Sequence, residues 1–137
     1  MRKLFLAIFS SVLFAAQFTA SAETIKDLTP GEIRELLTGN TAFMLGGKGE
    51  ALIKINFYYL PDGKTLLISN DNGLRHKTRW FINKNGKYCH FNLNNKRRCW
   101  TVQLVDGKEI RMLHPRLKRQ LIRYTGNTAG LNPRDFE

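Results

Sequence analysis

After Asn40 the chain is cut into strand-length pieces, and this punctuation constrains the fold more than any other feature. Thr41–Leu45, Ala51–Leu60, Lys64–Ser69, Arg75–Ile82, Tyr88–Leu93, Arg98–Val105, Glu109–Leu113 and Arg119–Tyr124 are apolar, aromatic or alternating runs. Between most of them stand turn formers: Gly46-Gly47-Lys48-Gly49, Pro61-Asp62-Gly63, Asn70-Asp71-Asn72-Gly73, Asn83-Lys84-Asn85-Gly86, Asn94-Asn95 and Asp106-Gly107. Short runs recurring at roughly 8–12 residues mark an all-β sandwich or barrel. Connections this short favour strands that pair antiparallel with their sequence neighbours. The expectation is a mostly β fold, an antiparallel up-and-down meander of about eight strands closing into a small barrel.

One helix precedes the strands. Thr29 can cap it, Pro30 takes the first helical position and Glu32 completes a capping box. Ile33, Leu36 and Leu37 share a face, and Gly39 stops the run. The pattern predicts a short helix over residues 30–37.

Residues 1–22 read as an export signal: Arg2 and Lys3, the apolar stretch Leu4–Ala16, then Ala20-Ser21-Ala22 before a cleavage site. The apolar stretch is short against the about 20 residues a membrane span needs. The expected mature protein is therefore a single domain over residues 23–137, periplasmic or secreted, with no transmembrane anchor and monomeric. One small domain leaves no room for a doubly wound nucleotide enzyme or a (β/α)₈ barrel.

Period-2 alternation assigns faces. Leu74, His76, Thr78, Trp80 and Ile82 form the expected interior set, against Arg75, Lys77, Arg79 and Phe81. Trp100, Val102, Leu104, Ile110 and Met112 are expected to point inward, with Glu109 and Arg111 outward. Trp80, Trp100, Ile110, Met112 and Ile122 together suggest a filled barrel. Cys89 and Cys99 lie symmetrically about residue 94. Opposed positions on a hairpin are within disulfide reach, so a structural Cys89–Cys99 bond is expected in an oxidising compartment.

Candidate chemistry is sparse. His76, His90 and His114 have no close spacing that suits a metal, and no metal or other cofactor is expected. Asp62, Asp71 and Asp106 fall in turns, where Asp is ordinary. Gly46-Gly47-Lys48-Gly49-Glu50 lacks phosphate-loop spacing. No nucleophile arrangement stands out, and no catalytic residue is assigned.

Charge is the one functional signal. Residues 23–73 carry 5 basic and 7 acidic side chains, net −2, whereas residues 74–137 carry 15 and 4, net +11. Arg75, Lys77 and Arg79 alternate along one strand. Lys96, Arg97 and Arg98 crown the next hairpin, and Arg119 and Arg123 lie in the last strand and are expected on the exterior. Phe81 and Tyr88 are nearby aromatics. These eight basic residues form the candidate binding site for an anionic polymer or lipid headgroup surface. The bland alternative is a solubilising surface. An exported protein would not meet cytosolic nucleic acid, whereas lipopolysaccharide, acidic polysaccharide and extracellular or host nucleic acid stay within its reach.

The order of motifs carries a resemblance. A signal segment is followed by Leu28-Thr29-Pro30-Gly31-Glu32-Ile33, Tyr58-Tyr59-Leu60-Pro61-Asp62-Gly63, a strand with Trp80, Lys87-Tyr88-Cys89, Arg98-Cys99 and Gly126-Asn127-Thr128-Ala129-Gly130-Leu131. The chain resembles the small exported bacterial proteins of a domain-of-unknown-function family, number 995. It departs from them at Thr78-Arg79 before Trp80, where they carry Gly, and in being more basic. The resemblance implies a lipocalin-like barrel and no established activity. A carrier of a small apolar ligand and a small hydrolase of an envelope polymer, with a carboxylate from Glu50, Asp62, Asp71 or Asp106, are the alternative functions.

Overall fold

The computed structural model describes residues 21–46, 53–115, 117–124 and 126–136, and among 117–124 the side chain of Leu121 alone. The export segment up to residue 20 and Glu50 therefore lie outside the described residues.

The helix forms where the sequence places it. α1 spans Pro30–Leu37, and Thr29 is its N-cap. The Thr29 hydroxyl accepts the Glu32 N–H at 3.3 Å, and Glu32 Oε2 accepts the Thr29 N–H at 2.9 Å. Two backbone donors at the helix start are thereby satisfied. Ile33 and Leu37 are fully buried and belong to the same core cluster as Trp80, Tyr88 and Trp100.

The rest is strand. In chain order the strands are β1 Ile25–Asp27, β2 Thr41–Gly46, β3 Ile53–Tyr59, β4 Thr65–Asn70, β5 Arg75–Ile82, β6 Tyr88–Phe91, β7 Arg97–Val105, β8 Glu109–His114 and β9 Leu117–Tyr124. All pairings are antiparallel, from β2 through β9 in sequence order. The eight-strand meander expected from the turn signals is the observed sheet.

The meander curls, and β9 pairs back onto β2, but the ring is not a sealed cylinder. Only Thr41–Phe43 of β2 meets β9. β5 bonds β4 through Arg75–Arg79 and β6 through Trp80–Ile82, so the wall is split along the first half of β5. "Barrel" describes the curl of the sheet more than its closure.

β1 is an addition that the sequence pattern does not announce. β7 is nine residues long and β6 only four, so the far half of β7 has no β6 partner. Ile25, Lys26 and Asp27 pair there with Val105, Leu104 and Gln103, and the Leu28 N–H extends the ladder to the Val102 carbonyl at 3.0 Å. An exposed strand edge is thereby covered.

Helix and turns define two ends. At the helix end are the β3–β4 turn, the β5–β6 turn, where Gly86 approaches the Pro30 ring, and the β7–β8 turn, whose Asp106 bonds Thr24. Asp106 and Gly107 both have positive φ, 50° and 68°, and the Lys108 N–H closes their turn onto the Val105 carbonyl at 3.0 Å; because Val105 pairs with Glu109, Lys108 is an extra residue in the connection. The opposite end carries Asn70–Leu74 and Asn92–Lys96.

The interior is filled unevenly. Trp80, Trp100, Tyr59 and Tyr88 pack near the helix end with Ile110, Met112 and Leu121. Tyr59 meets Trp80 edge-on at 5.4 Å and Tyr88 at 6.0 Å. Near the other end an apolar cavity of about 290 Å³ remains between Met44, Ile55, Phe57, Ile68, His76 and His90. The expected filled barrel is filled at one end.

A tail follows β9 and ends in a 3-10 turn, Pro133–Phe136. The Thr41 hydroxyl donates to the Gly126 carbonyl at 2.7 Å and accepts the Thr128 N–H at 3.2 Å. Asp135 and Phe136 reach Arg75 on β5. The tail thus crosses the outer face of β3 and β4, where Leu67 is fully buried between Tyr58 and Lys77 in the register.

Candidate basic and aromatic surface

β5 sorts its side chains as alternation requires. Arg75, Lys77 and Arg79 are exposed, His76 and Thr78 are half-buried and Trp80 is buried. Consecutive outward residues on one strand lie about 6.6 Å apart, so the three cations form a track along the outer face.

The track is not uniformly free. Arg75 lies 3.9 Å from the Asp135 carboxylate, and its guanidinium is 5.5 Å from the centre of the Phe136 ring. At the other end the Arg79 guanidinium is 5.6 Å from the centre of the Phe91 ring. Phe81 and Phe91 lie side by side at 6.1 Å and are half-buried. Around them is a hollow of about 400 Å³ lined by Lys64, Arg79, Trp80, Phe81 and Phe91.

The β6–β7 hairpin divides the remaining basic residues. Cys89 and Cys99 face each other and are disulfide-bonded, as their symmetry about residue 94 suggests. Phe81 opposes Cys89, and Phe91 opposes Arg97, so Arg97 borders the aromatic pair. Lys96 and Arg97 are exposed. Arg98 is a correction. It opposes His90 on the inward-facing row and is half-buried, because one residue's shift along a strand exchanges faces.

Three further residues depart from expectation. Tyr88 is fully buried among Tyr59, Trp80 and Trp100, so it belongs to the core and not to the surface. Alternation turns Arg111 towards solvent, yet it is 9% exposed, because the N-terminal segment lies over it and Glu23 takes its guanidinium at 2.9 Å. Leu104 is half-buried beside Leu28 and Glu32, not in the central cluster. Arg119 pairs in register with Met112 and Arg123 with Ala42, and the side chains of both lie outside the described residues.

The histidines have structural places. His90 stacks on Trp100 at 4.8 Å, and its Nδ1 is hydrogen-bonded to the Tyr88 hydroxyl at 2.9 Å. His76 Nε2 lies 3.3 Å from the Phe91 carbonyl, bridging β5 to β6 where the ladder has ended. Among the described residues no group of three or more possible metal ligands comes together.

The turn carboxylates are dispersed. Asp62 accepts the Lys64 and Thr65 N–H groups at 2.8 Å, and also the Thr65 hydroxyl. Burial pushes the Asp62 carboxyl up, but these hydrogen bonds outweigh it and hold the value below the usual range. Asp71 accepts the Lys54 N–H at 3.4 Å and Asp106 the Thr24 N–H at 2.9 Å. Each serves its own turn or strand end.

No helix among the described residues is long and apolar enough to cross a membrane. Known protein families, curated proteins and solved structures contain no match to the chain, so the resemblance to family 995 has no support from them. Function has to be read from the geometry of the site.

Proposed function

We propose that the protein is an exported, non-catalytic binding module that holds anionic polymers or anionic lipid headgroups on the outer face of β5 and the adjoining hairpin. The observation that carries this reading is the exposed track of Arg75, Lys77 and Arg79, with Lys96 and Arg97 beside it. The disulfide supports an oxidising compartment, and residues 1–22 supply the signal for reaching it.

Such binding is electrostatic at long range. Log affinity should fall linearly with log salt as counterions are released from a polyanion. The experiment titrates the protein against heparin, duplex DNA, anionic liposomes and lipopolysaccharide at two salt concentrations. Alongside runs the triple variant Arg75→Ala/Lys77→Ala/Arg79→Ala. Removing three contacts should flatten the salt slope on a duplex by about 2.7. Absence of binding to all four at low salt, or binding indifferent to salt and to the triple variant, overturns the reading.

The cavity favours a second reading, a carrier of a small apolar ligand. Its walls are Met44, Ile55, Phe57 and Ile68, and its mouth lies at the end marked by Leu74 and Asn92–Asn94. Native mass spectrometry in the same series decides it: a co-purifying apolar molecule supports the carrier, and a ligand-free mass that ignores added fatty acid rejects it.

A further inference from the structure

We infer that the hollow at Phe81 and Phe91 is a stacking site, and that the anion it selects is single-stranded nucleic acid. The inference rests on the anion-binding reading and narrows it.

Three observations converge on one place. Phe81 and Phe91 are large aromatic residues left half-buried on the outer side of a sheet whose inner side buries Trp80, Tyr88 and Trp100. Their rings lie side by side, 6.1 Å apart and tilted by 39°. Cations surround them: Arg79 over the Phe91 ring, Lys64 across the hollow and Arg97 opposite Phe91 in the register.

The floor beneath is stiff. Phe81 opposes Cys89, and the Cys89–Cys99 bond ties the strands on that side. A rigid ring pair costs little ordering on binding.

This arrangement discriminates among anions. Heparin and lipid phosphates meet the cations but offer no planar ring to the phenyl faces. Duplex DNA has planar bases, stacked within the helix and closed to a flat platform. Single strands expose every base. Positively charged grooves lined by aromatic side chains bind them through stacking, with little sequence preference.

The track supplies the backbone contacts. Arg75, Lys77 and Arg79 lead along β5 directly to Phe81, so an extended strand can lay phosphates on the cations and bases on the rings. Arg79 faces both partners, since a guanidinium can pair a phosphate and stack on a ring.

The test measures fluorescence anisotropy of a labelled oligothymidylate, with a duplex of equal length and heparin as competitors. Phe81→Leu and Phe91→Leu keep apolar bulk and remove the π face, so they spare the fold. Circular dichroism and thermal midpoint check that they do. The wild type should prefer the single strand over the duplex. Each leucine variant should weaken single-strand binding by about tenfold and leave heparin affinity unchanged. Equal affinity for single strand and duplex, or leucine variants that bind the single strand as the wild type does, overturns the inference. If heparin binding survives those outcomes, the basic track stands and only the stacking site falls. If no anion binds at low salt, both fall.

Discussion

At the residue scale, side chains that close turns recur through the molecule. Asn70, Asn83 and Asn92 each accept two backbone N–H groups with the side-chain oxygen, from residues two and four positions on, at 2.9–3.0 Å. The spacing Asn-x-Asn is visible in the sequence at all three sites, and it locates the turns because this local bonding competes with strand pairing. Glu32 is the charged counterpart. It bonds the Lys26 ammonium and the Thr29 N–H, and these hold its carboxyl down from 4.5 to about 2. A depressed folded-state value means that the contribution is complete above 4.5 and is lost as pH falls towards 2. Glu32→Gln keeps the capping geometry and removes the charge. The thermal midpoint of the wild type should therefore exceed that of Glu32→Gln at neutral pH, and the gap should close on acidification through that window. A gap that persists unchanged at the acid end of the window contradicts the assignment.

At the element scale, the β6–β7 hairpin is the part most legible in the sequence. Cys89 and Cys99, symmetric about residue 94, are enough to fix its register, whereas the burial of Tyr88 is not legible there. The disulfide closes a short loop, for which the chain-entropy estimate is about 3 kcal/mol. Paired Cys89→Ala/Cys99→Ala should lower unfolding free energy by that amount in urea titration, and the wild type under reductant should lose as much. A loss below about 1 kcal/mol, well short of the usual disulfide contribution, would show that the paired backbone holds the hairpin unaided. What is illegible depends on other elements. β1 is only Ile25-Lys26-Asp27, too short for a period, and exists because β6 leaves half of β7 uncovered. Arg111 alternates as an outward residue should, yet the same N-terminal segment buries it. Adjacency groups Arg98 with Lys96 and Arg97, whereas pleating turns it to the other face.

At the scale of the whole molecule, the helix closes one end and the tail straps the outside. Charge asymmetry between the halves is legible in the sequence. The tail's effect on it is not, because Asp135 and Arg75 are 60 residues apart in the chain and meet only when the strap is laid down. The strap is anchored at Thr41, which is 1% exposed and shares two hydrogen bonds with the tail, while Asn40 accepts the Gly126 N–H at 2.9 Å. At about 1 kcal/mol net for each such bond, deleting residues 126–137 should cost about 3 kcal/mol in urea titration, before any exposure of Leu67 is added. Asp135→Ala separates anchoring from charge. Its ion pair is solvent-exposed and long, so stability should change by less than about 1 kcal/mol. The same substitution removes an anion from the end of the basic track and releases Arg75 to an external one. Heparin affinity at low salt should rise, and the rise should vanish when Arg75→Ala is added, since the two changes share one contact. An affinity that Asp135→Ala leaves untouched would mean that the tail lies against Arg75 without competing for its charge.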